Sequence, residues 1–490
     1  MQTPLPNEER QHYGITLAAL TVAATAYALQ QTMIAPALPV LQRDLHTTTT
    51  WTSWLLTGFL LSSAVSTPLL GKLGDQHGKQ RLLLVTLTFF FAGCVGAIFA
   101  WNIWSLIGFR VIQGVGEGIF PLAFAIIIDE FPSERAGLGM GLISATFGVG
   151  GGLGLVLSGL IVDNLSWRWL FVVGSAGVAL AFAAVWRFVP ESPITTPSRL
   201  DLRGAALLSA ALICFLLPMS EADHWGWSSA RVVALFAVSA CALVVFALVE
   251  LRVPEPMVDM HVLARRPVLI ANLTALIAGF GLFGAFILIP NFVETPRGFP
   301  AAVAHLVHYG FGASPTRAGL YLLPGTLGGF VTGPLAPLLA RRFGDRVPLS
   351  LGMLISAAGM AILATLHRHP WQVILAMAVI GTGIPFAFAI MPKLIGEAVS
   401  QAETGVANGI NTVMRTVGGV IGGQVGATIL ASRTLGRTGI PAESAYSTAF
   451  WVSAGGLAAA VLIALFATSG RQAASNEPPE RSAFEQRVRA

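Results

Sequence analysis

The sequence predicts an all-α membrane protein with fourteen spanning helices, built as two similar six-helix halves that enclose two inserted helices. Three observations carry this reading. First, 54% of the 490 residues are hydrophobic and only 11% are charged, with a mean hydropathy of +0.72. Soluble domains carry about 25% charged residues, so too few charges are present to cover the surfaces of several such domains. That balance excludes soluble enzymes, nucleic-acid binders and secreted disulfide scaffolds. Second, the chain holds fourteen stretches near the roughly 20 apolar residues that a spanning helix needs. Third, the sequence repeats itself at an offset of 266–268 residues.

The elements follow in order. Residues 1–14 are polar, with Glu8, Glu9, Arg10 and His12, and no small-residue cleavage site follows a short apolar core. The first span, 15–40, therefore reads as a retained helix and not a signal peptide. Spans at 51–71, 82–100, 104–128, 137–161 and 167–189 complete a first half, 15–189. The segment 190–203 contains Pro190, Pro193 and Pro197, which cannot continue a helix, so it reads as a linker. With the inserted spans 204–220 and 231–251 it forms a unit over 190–266. The second half, 267–468, carries spans at 268–290, 316–340, 348–366, 371–391, 405–430 and 447–468. Its loop 291–315 is broken by Pro296, Pro300 and Pro315, with a short amphipathic turn expected around 301–309. The polar tail 469–490, with Pro478 and Pro479 adjacent, reads as a disordered cytoplasmic end.

Charge orients the bundle. With both termini inside, 19 Lys and Arg residues fall on inner segments and 8 on outer ones, while Arg110 and Arg415 lie within spans. This is the positive-inside bias, and it absorbs the net charge of +5 without a polyanionic partner. The 53 glycines and 28 prolines suit membrane helices. Cys94, Cys214 and Cys241 all lie in apolar segments and read as packing residues, with no disulfide or metal site expected. Trp51, Trp54, Trp101, Trp104, Trp225, Trp227 and Trp371 stand at span ends as an interfacial belt.

The repeat pairs Gly114 with Gly381 and Gly116 with Gly383 at 267, and Gly137, Gly141, Gly150 and Gly151 with Gly405, Gly409, Gly418 and Gly419 at 268. The loop 71–81 finds a degenerate partner in 337–346 at 266. Duplicated halves around a midplane site are a recurring plan of secondary transporters. A polytopic enzyme would instead cluster His, Asp, Glu or Cys at one membrane face; no catalytic cluster is seen and no cofactor is expected.

Four motifs resemble the fourteen-helix drug:proton antiporter branch of the major facilitator superfamily. Gly71-Lys-Leu-Gly74-Asp75-Gln-His-Gly78-Lys79-Gln-Arg81 is similar to the loop motif G-x-L-A-D-R-x-G-R-K-x, and Arg110-Val-Ile-Gln113-Gly114-Val-Gly116 to R-x-x-Q-G-x-G of helix 4. Trp167-Arg168-Trp169 matches the branch's W-R-W, and Leu38-Pro39 the end of its helix 1 motif. The resemblance implies the major facilitator fold and proton-driven export. It also implies a conformational latch made by Gly71, Gly74, Asp75, Gly78, Lys79 and Arg81 with Asp129 at the foot of helix 4. The chemistry is plain: the glycines allow a tight turn, and Asp75 can accept from helix N-terminal amides or pair with Lys79 or Arg81. A loop that only fixes topology is the competing reading.

Two departures stand out. The acidic residue of the family's helix 1 pattern is Gln30 here, and the helix 5 pattern G-P-x-x-G-G reads Gly154-Leu155-Val156-Leu157-Ser158-Gly159. A carboxylate reappears at Glu117, mid-span in helix 4, where the family has a small residue. Charges at that depth are functional hypotheses by default. Arg110, Gln113, Gly114 and Glu117 follow at i, i+3, i+4 and i+7, one helical face, with Arg110 and Glu117 about 10 Å apart along the axis. Burial and a nearby cation act in opposite senses on such a carboxylate, a balance that permits titration near neutral pH. Glu117 is thus expected to replace the lost helix 1 group in proton coupling, with Arg110 and Gln113 relaying or orienting; a purely structural buried pair is the alternative. In the repeat, Met377 and Ile384 replace Arg110 and Glu117.

Gln30, Gln31, Asn272, Asn411 and Arg415 are the expected substrate-cavity residues. Arg415 serves equally as a partner for substrate, as a cross-cavity pair or as a packing residue, and Asn272 leans to structure. His367 and His369 show no partner ligands in the sequence; Glu130 and Glu250 read as solvated ends. The expectation is a monomeric, multi-pass plasma (inner) membrane exporter of small amphipathic compounds in the lipid bilayer, driven by protons, with both termini cytoplasmic. A facilitator, importer or lipid transporter, or a non-transporting receptor on the same fold, are the alternatives.

Overall fold

The computed structural model describes residues 12–47, 49–192, 201–253, 256–296, 309–400, 403–435 and 440–467. The expected tail at 469–490, the turn at 301–308 and most of the linker, 193–200, lie outside these residues. The first half consists of α1 (His12–Met33), α2 (Thr49–His77), α3 (Lys79–Ile98), α4 (Ile103–Glu130), α5 (Ser133–Asn164) and α6 (Arg168–Phe188). Two inserted helices follow, α7 (Leu202–Trp225) and α8 (Ala230–Glu250). The second half is α9 (Arg266–Glu294), α10 (Pro315–Phe343), α11 (Arg346–Thr365), α12 (Pro370–Ala398), α13 (Thr404–Ser432) and α14 (Glu443–Ala464). Among the described residues, thirteen helices are long and apolar enough to cross a membrane, and α9 contributes a further apolar stretch, Arg266–Leu282. The protein is a multi-pass, all-helical membrane protein.

Local sequence explains the turns. Between α2 and α3 the chain reverses at Gly78, with φ of +104°, a conformation that only glycine adopts without strain. Its repeat counterpart Gly344, at φ +83°, makes the same reversal between α10 and α11. The carboxylate of Glu191 accepts from the amides of Gln80 and Arg81 (3.1 and 3.2 Å). It therefore caps the free N–H groups of α3 from the far end of the first half.

Each half has its own core. In the first, the Tyr27 ring is surrounded by Phe59, Phe90 and Phe120 at centroid distances of 5.8, 5.5 and 5.8 Å. In the second, Phe292 meets Tyr309, His367, Tyr446 and Phe450. The halves meet where α5 packs along α10, and where α2 and α4 pack along α13. Glycine makes these seams close: a Cβ at Gly141 would lie 2.4 Å from Gly333 O, and one at Gly71 only 2.5 Å from Gly405 O. Backbone contact of this kind gives packing and specificity where lipid provides no hydrophobic driving force. Helix α7 is wedged against α2 and α13, while α8 packs on α7 and is the most exposed span, 17% buried.

Candidate functional site

Two charge clusters gather candidate residues, one at the centre and one at the end of the bundle that carries Asp75. The central cluster starts from a break in α4. After Gly114 the helix tightens into a 3₁₀ turn at Val115–Gly118 before resuming at Ile119. Gly114 lets α4 approach α2 so closely that a Cβ there would sit 2.4 Å from Phe59 O.

The turn changes which way Glu117 points. A 3₁₀ turn advances about 120° per residue against about 100° in an α-helix, so three residues over-rotate by roughly 60°. The face shared by Arg110, Gln113 and Glu117 in a regular helix is therefore split, and the expected relay is not assembled in this conformation. Arg110 and Gln113 stay inside the first half. Arg110 donates through Nε to Leu55 O of α2 (3.1 Å) and through Nη1 to Gln113 Oε1 (2.7 Å), with its guanidinium 4.1 Å from the Phe59 ring centroid.

Glu117 instead faces the second half. Its Oε1 accepts from Arg415 Nη2 (3.4 Å) and from Thr416 Oγ1 (3.0 Å), both on α13. All three side chains are buried. Arg415 also lies between the rings of Phe120 on α4 and Phe388 on α12, 5.6 and 5.3 Å from their centroids. A carboxylate, a guanidinium and a hydroxyl are thus joined across the seam between halves, in surroundings where an unpaired charge is costly. Glu117 Oε2 has no hydrogen-bond partner among the described residues.

The remaining cavity candidates scatter. Asn411 Nδ2 donates to Asn272 Oδ1 (3.1 Å), tying α13 to α9 within the second half. Gln30 does not reach the centre. Its Oε1 lies against Gly174 of α6, where a Cβ would come within 2.1 Å, so Gln30 fills the α1–α6 seam of the first half. Gln31 is buried on α1, and its Nε2 has no hydrogen-bond partner among the described residues.

At the Asp75 end, Lys79 forms a buried ion pair with Asp129 at the foot of α4 and lies 3.6 Å from Asp75 Oδ1. Ser192 also donates to Asp129 (2.6 Å). Asp75 crosses the seam, accepting from the amides of Gly405 (3.3 Å) and Val406 (3.2 Å) in the first turn of α13, where unsatisfied N–H groups favour a negative charge. Gly71 allows this approach, with a Cβ position 2.5 Å from Gly405 O, while Gly74 lets α2 close on α4, its Cβ position 2.4 Å from a Leu122 methyl. Arg81 does not join the cluster: it is exposed, 3.5 Å from Glu191. Glu250 also departs from expectation, being buried and accepting from the Val258 amide (3.1 Å). Glu130 is half-buried beside the Asp129 cluster.

Sequence reasoning missed the pairing of His367. His367 is buried, with Nδ1 2.8 Å from Leu363 O and Nε2 2.9 Å from Glu443 Oε1 across to α14. Nothing local in either sequence signals it; only the folded second half brings positions 76 residues apart together. Among the described residues no group of His, Cys, Asp and Glu has the arrangement of a metal site.

A sequence profile described as Major Facilitator Superfamily matches residues 20–310 and 273–489. The chain is 28% identical over 396 residues to the multidrug transporter protein MdtP of Bacillus subtilis, covering 80% of this chain and 70% of that protein. It is 28% identical over 383 residues to the tetracenomycin C resistance and export protein of Streptomyces glaucescens, covering 78% and 68%. A multidrug resistance protein B homolog of Mycobacterium tuberculosis is 28% identical over 390 residues, covering 78% and 69%. In fold, the crystal structure of the human organic anion transporter MFSD10 (TETRAN) superposes with a TM-score of 0.64 at 15% identity, over 94% of this chain and all of that one.

Proposed function

Because the chain belongs to the Major Facilitator Superfamily, a transporter superfamily and not an enzyme family, we propose that it exports small amphipathic compounds, drugs or metabolites, in exchange for protons. The relatives named for multidrug resistance and antibiotic export support the export reading. The observation that carries proton coupling is the buried Glu117 carboxylate, bonded across the seam by Arg415 and Thr416.

Ionised, Glu117 holds α4 to α13 at the centre of the bundle. Protonated, it loses the charge that Arg415 pairs with, and the tie between halves weakens. Arg415, flanked by the Phe120 and Phe388 rings, then interacts with a polar group of substrate. Alternation of these two states couples proton movement to the rocking of one half on the other. The Asp75 contact with α13 latches the end where Lys79 and Asp129 lie. The excess of Lys and Arg on these loops supports a cytoplasmic position for that end and for both termini, and the bacterial export relatives support the plasma membrane as the location. The unit that works is a monomer.

The test is Glu117→Gln in proteoliposomes. Substrate exchange without a pH gradient is expected to continue, while pH-driven accumulation falls at least tenfold. Accumulation at the wild-type level would remove Glu117 from coupling.

A further inference from the structure

A cavity of about 250 Å³ lies between α2, α7 and α13. Its floor is an apolar seam in which Leu208, Leu212 and Leu216 of α7 pack with residues of α2 and α13 such as Leu61 and Val413. Above Leu216 the three helices part. On the α2–α7 side, the Thr57 and Ser220 hydroxyls are hydrogen-bonded to each other at 2.5 Å. On the α13 side the wall is set back by glycine. Gly418 and Gly422 press on α9, where a Cβ would lie 1.8 Å from Leu276 O and 2.2 Å from Phe280 O. Their neighbours Gly419 and Gly423 face the cavity. The space exists because these positions have no side chain.

The lining decides the occupant. It is mostly aliphatic, with Thr57, Ser220, Thr416 and Gln424 as its polar groups and no charged residue. A charged guest would be desolvated here without a counter-ion. Thr416 connects the cavity to the central cluster. Its hydroxyl has one proton to donate, which serves Glu117 Oε1 (3.0 Å) or Thr412 O (3.1 Å). An oxygen on a guest in the cavity competes for that same proton.

We propose that α2, α7 and α13 form a binding pocket for an uncharged, largely apolar molecule bearing a carbonyl or hydroxyl oxygen, with inserted helix α7 as its wall and Thr416 as the link to Glu117. This rests on the transport reading above and names the substrate class and a role for the insertion. The volume sits just below the roughly 300 Å³ lower edge of drug-sized pockets, so the pocket holds a small ring system or the apolar head of a larger compound.

The experiment uses the purified full-length protein and the uncharged fluorophore prodan, 6-propionyl-2-(dimethylamino)naphthalene, whose ketone supplies the carbonyl oxygen. Gly423→Leu, which fills the cavity, should weaken binding at least tenfold while the protein remains monodisperse. In a Cys214→Ala, Cys241→Ala background, Ser220→Cys should be alkylated by N-ethylmaleimide, and saturating fluorophore should slow this at least fivefold. The permanent cation ethidium should give no such protection. Wild-type protein that binds the fluorophore no better than empty micelles, Gly423→Leu that binds normally, or Ser220→Cys that is not protected would each overturn the proposal. Should Gly423→Leu fail to fold, the alkylation result decides. Binding and alkylation are both measured without a pH gradient, so they stand or fall separately from the pH-driven accumulation that tests the transport reading.

Discussion

The two halves each carry an ion pair at the same place, with the polarity reversed. In the first half a lysine just after the turning glycine, Lys79, meets Asp129 at the foot of α4. In the second, an aspartate just after the turning glycine, Asp345, meets Lys393 near the foot of α12. Both struts fix a tight turn to the helix behind it, and the swapped signs show that the strut needs a pair and not a particular charge order. What differs is a third member. Asp75 stands beside Lys79 and reaches the amides of α13 in the other half. The second strut has Glu397 as its third charge among the described residues, 3.6 Å from Lys393 on the same helix. The strut is duplicated; its charge order is not.

The largest expected effect comes from removing the cations. The Lys79–Asp129 side chains are 1% and 0% exposed, whereas Lys393 is 22% exposed. Lys79→Met leaves two buried carboxylates without a cation and should cost about 3–5 kcal/mol. Lys393→Met, whose site is partly solvated, should cost about 1–3 kcal/mol. Thermal unfolding of the detergent-solubilised variants measures both, and equal losses would break the contrast.

A smaller, sharper effect is expected from reversing each pair. The double variant Lys79→Asp, Asp129→Lys should regain most of the stability lost in Lys79→Met but not transport, because a carboxylate would then stand beside Asp75. Asp345→Lys with Lys393→Asp should regain both. Turnover in proteoliposomes separates the cases, and full transport by the first double variant would mean that Asp75 needs no neighbouring cation.

The smallest effect lies in the turns themselves. Gly344→Ala should cost about 1 kcal/mol for its left-handed backbone alone, since a Cβ there meets nothing within 4 Å. Gly78→Ala carries the same backbone cost and also meets the Glu191 carboxylate at 2.6 Å, disturbing the cap on α3. It should therefore unfold at the lower temperature of the two.

The sequence made the helix inventory and the duplication legible because length, apolarity and spaced glycines are local properties, and Gly78 and Gly344 fall at matching turns. The sites were less legible for specific reasons. Helical spacing put Glu117 on one face with Arg110, but the 3₁₀ turn at Val115–Gly118 rotates it away. Nothing near Glu117 in the chain announces Arg415 or Thr416, since the pairing depends on how two halves dock. Asp75 could be read as an acceptor for helix amides, yet which helix supplies them is written only in the packing of Gly71 against Gly405. Gln30 occupies the position of an expected cavity group, and the absence of a side chain at Gly174 draws it into a different seam.

The contact between Asp75 and the Gly405 amide also has a consequence in time. Its partners are 330 residues apart in the chain. At a synthesis rate of about 5–20 residues per second, the ribosome needs roughly 15–65 s to travel that distance. For that interval α2 is already in the membrane, its carboxylate waiting beside Lys79 at the bilayer surface. The start of α13 must then find a berth prepared by α2, α4 and α7. The closure of this contact is accordingly a late step for α2, made only after the start of α13 has been synthesised.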